Sequence, residues 1–120
     1  MPAYAIGHLH DVAMGPAIVA YLERIDATLE PFGGRFLIHG ERPDVLEGRW
    51  SGDLIVIAFP DLASARAWYA SPAYRAILPL RTENSRGEVL LVDGVSDDHR
   101  ATDILKPAAD RAAPSTGSPA

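Results

Sequence analysis

The chain has 120 residues, 48% apolar and 22% charged, with a formal net charge of −5, the size and balance of one ordinary globular domain. The acidic balance argues against general nucleic-acid binding, which needs a basic footprint. With no cysteine present, disulfides, thiolate nucleophiles, iron–sulfur clusters and cysteine-held zinc are excluded, and the lone lysine, Lys106, lies too far down the chain to serve a Schiff base in the domain core.

Met1-Pro2-Ala3-Tyr4 has no basic stretch running into a long apolar one, so no signal peptide is expected. The longest apolar run, Leu54–Phe59, is far too short to cross a bilayer. A cytoplasmic protein with no membrane partner is the expectation.

Tyr4–His10 alternates as a strand does: Tyr4, Ile6, His8 and His10 share one side, and Ala5, Gly7 and Leu9 the other. Gly15-Pro16 opens a helix, with proline suited to the first turn. Ile18, Leu22, Ile25, Leu29 and Phe32 recur at spacings of four and three and form its apolar stripe. Gly33-Gly34 stops it. Arg35–His39 is the second strand, and Gly40–Trp50 is a loop or an irregular strand extension. After Gly52-Asp53 comes the third strand, Leu54–Phe59, apolar on both faces.

Pro60-Asp61 starts a second helix, with Asp61 as its cap. Leu62, Ala65, Trp68 and Tyr69 form the inner stripe. Ser71-Pro72 ends that helix and caps a further short one, which carries Tyr74, Ile77 and Leu78 until Pro79 interrupts it. Asn84–Gly87 is turn-rich, Glu88–Asp93 is the fourth strand, and Gly94 closes the domain. Residues 96–120 are rich in Ala, Pro, Asp and Ser and are read as a flexible tail, with Ile104 and Leu105 as its only docking residues.

The order β-α-β-β-α-β is an α+β, ferredoxin-like arrangement: an antiparallel sheet with its helices on one face. A strand apolar on both faces needs cover on both. Two-fold pairing of two sheets is the simplest cover for the second face, so a homodimer is expected.

Several runs resemble the DUF1330 family: Met1–Gly7, Gly33–Gly40, Val45–Trp50, Val56–Pro60, the dense Ala65–Tyr74, then Arg81 and Val92-Asp93-Gly94. The resemblance covers residues 2–95 in order. It implies a dimeric α+β barrel domain over 1–95, with 96–120 as the tail, in a family without a settled activity. Related barrel families include cofactor-free monooxygenases, cyclases, isomerases and dechlorinases. His8 and His10 depart from the family pattern, where an acidic or plain polar residue is expected, and so does the tail.

Three groups of side chains carry chemistry. His8 and His10 at i, i+2, with His39, suit acid–base work. The same pair has the spacing to share a metal ion, with Glu41 or Glu47 adding a carboxylate, but polar, partly solvated strand-end residues are the preferred account of it, so no metal and no cofactor are expected. Arg35, with Glu47 and Trp50 from the following loop, forms either a carboxylate anchor or a loop-bracing salt bridge. Trp68 and Tyr69 read first as core, whereas Tyr74 and Arg81 lie past the helix break, where a phenol and a guanidinium bind an oxyanion.

The expected function is a small-molecule-binding dimer whose pocket is lined by His8, Tyr21, Arg35, His39, Trp68, Tyr69, Tyr74 and Arg81. As an enzyme it would run cofactor-independent isomerisation, cyclisation, hydrolysis or oxygenation on a small anionic or aromatic compound. His8, His39 and Tyr74 are the catalytic candidates; Tyr21, Arg35, Glu47, Trp50, Trp68, Tyr69 and Arg81 are the binding candidates. The rival reading is a non-catalytic structural or binding dimer. A cavity of a few hundred Å³ with convergent His and Arg separates the first reading from a filled interior.

Overall fold

The structure, a computed structural model, describes residues 1–106. Strand β1 (Ala3–His10) leads through Gly15 into helix α1 (Pro16–Leu29), which tightens into a 3₁₀ turn over Glu30–Phe32. Strands β2 (Arg35–His39) and β3 (Asp53–Phe59) follow, then helices α2 (Leu62–Ala70) and α3 (Pro72–Thr82), strand β4 (Arg86–Asp93) and a 3₁₀ turn at Ala101–Leu105. The sheet order is β2-β3-β1-β4 and all three pairings are antiparallel. This is the ferredoxin-like arrangement, with β1 and β3 central. Among the described residues no helix is long and apolar enough to cross a membrane.

Local chemistry explains the boundaries. Gly33 ends the first helical stretch at φ 71°, a left-handed conformation that a side chain disfavours. Asp61 caps α2, its carboxylate accepting the Ser64 N–H at 2.7 Å. Ser71 serves two helices at once: its hydroxyl donates to the Trp68 carbonyl at 2.7 Å, closing α2, and accepts the Tyr74 N–H at 3.2 Å, opening α3.

Three sequence expectations are corrected. Pro79 does not interrupt α3, which runs through to Thr82. The proline removes one backbone bond, but Tyr74, Ile77 and Arg81 are all buried on one side of the helix, and that packing outweighs the loss. The inner side of α1 is wider than the apolar stripe: Tyr21 and Thr28 are buried with Ile18, Ile25 and Leu29, while Leu22 stays on the inner side but 39% exposed. A helix advances 100° per residue, so the stripe drifts, and the polar ends of Tyr21 and Thr28 find partners inside. Ile104 and Leu105 do not dock: they are 63% and 78% exposed. The rest of the expected tail, from residue 107 on, lies outside the described residues.

The core lies between the sheet and the helices. Ala3, Ala5 and Gly7 of β1 are buried against them, as are Ile57 and Phe59 of β3. A cluster of Tyr21, Ile25, Leu29, Phe59, Trp68, Tyr74 and Ile77 fills this layer. The Trp68 indole donates to Thr28 Oγ1 at 3.0 Å, and that hydroxyl donates to the Ile25 carbonyl at 2.6 Å, so α2 and α1 are tied by bonds that satisfy every polar atom involved. Among the described residues, no buried side-chain nitrogen or oxygen lacks a partner.

The other sheet face has no helix. Its ladder rows place Tyr4, Ile6 and His8 of β1 beside Val92, Leu90 and Glu88 of β4, and beside Ala58, Val56 and Leu54 of β3. Leu90, Val92 and Ile38 on this face are 50%, 40% and 37% exposed.

Candidate functional site

Small residues on β1 set the site's position. Ala5 and Gly7 lie under the helices and leave room that larger side chains would occupy. Above them is a cavity of about 240 Å³. Its inner wall comes from Ile57 of β3, Tyr21 and Ile25 of α1, Trp68 of α2, and Tyr74 and Arg81 of α3. Its exposed lining residues, Met14, Leu22, His39, Gly40, Asp53 and Val89, mark the mouth.

The polar groups converge on the inner wall. The Tyr21 and Tyr74 hydroxyls are 2.6 Å apart, in a buried hydrogen bond. The Arg81 guanidinium lies 5.9 Å from the Tyr21 ring centre, and the residue is only 9% exposed. Burial pushes the Tyr21 phenol well above its ordinary pKa, and the neighbouring Tyr74 adds to the shift. Burial works against the Arg81 charge, but the two phenols outweigh it and raise its pKa, so the guanidinium stays charged. Among the described residues no carboxylate forms an ion pair with it. The inner wall thus sets a cation and two hydroxyls among apolar side chains, with Ser85 also in the lining and His39 and Asp53 at the mouth.

His39 reaches the mouth because β2 is irregular. Phe36 pairs with Ile57 and His39 with Ile55, with a register shift between Phe36 and Ile38. In a regular strand residues three apart point to opposite faces. The bulge restores Phe36 and His39 to the same face, and their rings stack at 4.2 Å.

Of the eight residues expected to line one pocket, the structure brings together Tyr21, His39, Trp68, Tyr74 and Arg81. His8 lies on the opposite sheet face, opposite Leu54 and Glu88 in the ladders, because β1 alternates and Gly7 and Leu9 take the cavity side. Arg35 is exposed beside Ala58 on that same open face. Tyr69 is half-buried against Tyr74, outside the lining. Glu47 is exposed on the 40–52 loop, and Arg35 makes no salt bridge with it. Trp50, from the same loop, stacks on His8 at 4.1 Å.

Sequence reasoning missed Met14, Ile18 and Asp53 as lining residues. Asp53 carried the only usable signal, as a charged residue opening an otherwise apolar strand next to His39 and Gly40.

Comparison with solved structures places the fold among ferredoxin-like proteins. A protein of unknown function from Rhodopseudomonas palustris, RPA0582, is 21% identical, with 79% of this chain and 83% of that one covered and a TM-score of 0.58. SnoaB, a cofactor-independent oxygenase from Streptomyces nogalater, is 17% identical over 82% of this chain and 98% of its own, at 0.53. A dimeric ferredoxin-like protein of unknown function from Jannaschia sp. CCS1 is 18% identical over 80% of this chain and 100% of its own, at 0.52. Among curated proteins the sequence has no match. The sequence model of a domain of unknown function, DUF1330, matches residues 2–95. The chain belongs to the DUF1330 family.

Proposed function

We propose that the protein is a homodimer that binds a small carboxylate with an apolar or aromatic body in the cavity between helices and sheet. One observation carries this reading: Arg81 is a buried cation with no anionic partner among the described residues, at the inner wall of an apolar cavity. A buried charge without a counterion is costly. A bound carboxylate supplies the missing anion, takes a charge-assisted hydrogen bond from Arg81, and leaves its apolar body against Ile25, Ile57 and Trp68. The cavity volume suits a molecule of few heavy atoms.

Within this reading the chemistry is cofactor-independent proton transfer. His39 at the mouth is the base, and the Tyr74 hydroxyl the donor that holds a developing oxyanion. The likeness to SnoaB supports it to this extent: the scaffold accommodates a cofactor-free enzyme. His8 has no part in the cavity chemistry. The dimer rests on the uncovered apolar face of the sheet, whose burial is worth about 25 cal/mol per Å², and the dimeric ferredoxin-like neighbour supports it.

A thermal-shift panel of small aromatic carboxylates, each beside its primary amide, tests the ligand class. A ligand at about 100 times its Kd stabilises by about 2.7 kcal/mol, several degrees in Tm for a chain of this size. Carboxylates should raise the Tm of the wild type and not of R81M. Carboxylates that do no better than their amides, or that stabilise R81M equally, overturn the reading.

A further inference from the structure

We propose that His8, His10 and Glu88 form a binding site for a divalent transition-metal ion, zinc foremost, on the sheet face opposite the cavity. The site shares no residue with the cavity and lies at the His10 end of the open face, further along the β1·β4 ladder than the Ile6–Leu90 and Tyr4–Val92 rows on which the proposed dimer rests.

The geometry begins with the strand period. His8 and His10 stand two apart on β1, so both imidazoles project from the same face, their ring centres 4.1 Å apart. Glu88 is directly opposite His8 in the β1·β4 ladder, where paired side chains lie close together. Its Oε1 is 3.9 Å from His8 Nδ1 and 4.0 Å from His10 Nε2. One ligand atom from each of the three residues lies within 4.8 Å of the others. Those separations exceed hydrogen-bond reach, so the three groups do not satisfy one another directly. Zinc bonds of about 2.0–2.2 Å to nitrogen and oxygen span such a gap after a small inward turn of the Glu88 side chain, which is 73% exposed and able to make it.

The surroundings prepare His8 as a ligand. Its Nε2 lies 2.6 Å from the Ser51 carbonyl. A carbonyl only accepts, so Nε2 is the donor and Nδ1, 3.9 Å from Glu88 Oε1, is left as the ligating nitrogen. A metal-bound histidine commonly has its other ring nitrogen donating to a backbone carbonyl in this way. Trp50 stacks on the His8 ring at an interplanar angle of 17° and fixes its plane. The loop can approach this closely because Gly52 has no side chain: at φ +86°, a Cβ there would meet the Leu9 carbonyl and lie 3.0 Å from His10 Nδ1.

The donor set decides the class of ion. Two imidazoles and a carboxylate, with no thiolate in the chain, suit zinc, nickel or copper(II) rather than calcium or magnesium. Three protein ligands leave a fourth position for water. Arg86, opposite His10 in the ladder, adds positive charge on the same face and weakens the site.

The test is calorimetric titration of the full chain, stripped with chelator, with Zn²⁺ alone. One ion per chain should bind in the micromolar range or tighter. H10A and E88Q should each weaken it by at least about tenfold, the scale on which even outer-shell changes act, and R86A should tighten it. Trp50 gives a second readout: Ni²⁺ or Cu²⁺ should quench its fluorescence, and W50F, which keeps Trp68, should lose that quenching. Circular dichroism checks that each variant is folded, and E88Q alters an exposed side chain, so it decides the matter if a histidine variant does not fold. Zinc bound equally well by E88Q, or no zinc heat together with no quenching in the wild type, overturns the proposal.

Discussion

The two faces of this sheet carry different physics on the same strands. On the helix side β1 presents Ala3, Ala5 and Gly7, all buried, and the space above them holds Tyr21, Tyr74 and Arg81 in an apolar enclosure. On the open side the same strand presents Tyr4, Ile6, His8 and His10, none of them fully buried. One face isolates a cation from water; the other sets apolar rows and two imidazoles on a side that no helix covers. The contrast shows how a period of two lets one eight-residue strand serve a core and a surface with alternate residues.

The deepest test of the contrast is Trp68→Ala. Trp68 is 2% exposed and packs on Phe59, Tyr69 and Tyr74. Removing a buried tryptophan costs about 3–5 kcal/mol, a large share of a small domain's stability, and should lower the urea midpoint accordingly. A cost under about 1 kcal/mol would show that the helix side is not the core.

Leu90→Asp probes the other face. In an isolated chain a substitution at a half-exposed position costs within about 0.5 kcal/mol. In a dimer it places a carboxylate in the interface, and the dimer Kd should rise at least about tenfold, or 1.4 kcal/mol. Sedimentation velocity at micromolar concentration reads the change. An unaltered sedimentation coefficient would remove this face from the interface.

Tyr21→Phe sharpens the account of the cavity wall. It deletes the buried bond to Tyr74 and should cost about 0.5–1.5 kcal/mol. The folded Tyr21 pKa is raised above its ordinary value of 10.0 by burial first and by Tyr74 second. Its contribution is therefore complete below pH 10 and declines as pH rises from there toward the folded value. The stability gap between wild type and Y21F, measured by urea melts, should narrow above pH 10. A gap constant into strong alkali would place Tyr21 in contact with water.

The smallest effect belongs to a surface cap. The Ser64 N–H holds the Asp61 carboxyl below its ordinary 3.8, so its stabilisation is present above that value and lost as pH falls through the folded one. D61A should melt slightly earlier at neutral pH and match the wild type in strong acid. Unlike Leu90→Asp, it should leave sedimentation unchanged.

Much of the fold was legible because it rests on local signals. The alternation of Tyr4–His10, Gly33 after a helical stripe, and Asp61 and Ser71 at helix starts each report on residues a few positions apart. Pro79 misled because the local rule against proline inside a helix is outweighed by the packing of Tyr74, Ile77 and Arg81, which lies outside any short window. Residue type and a place past the expected helix break point to Tyr74 and Arg81, but their convergence with Tyr21 requires α1 and α3 to pack side by side.

By itself the sequence determined the element order, the helix caps, and the placement of His8 and His10 on one side of β1. Only the tertiary structure decided what those sides face. The β1·β4 ladder chose Glu88, rather than Glu41 or Glu47, as the carboxylate beside the histidines. The β2 bulge chose His39, rather than His8, as the histidine at the cavity mouth. Both choices depend on register between strands distant in the chain. Strand alternation says which residues share a side, and only packing says whether that side meets helices or water.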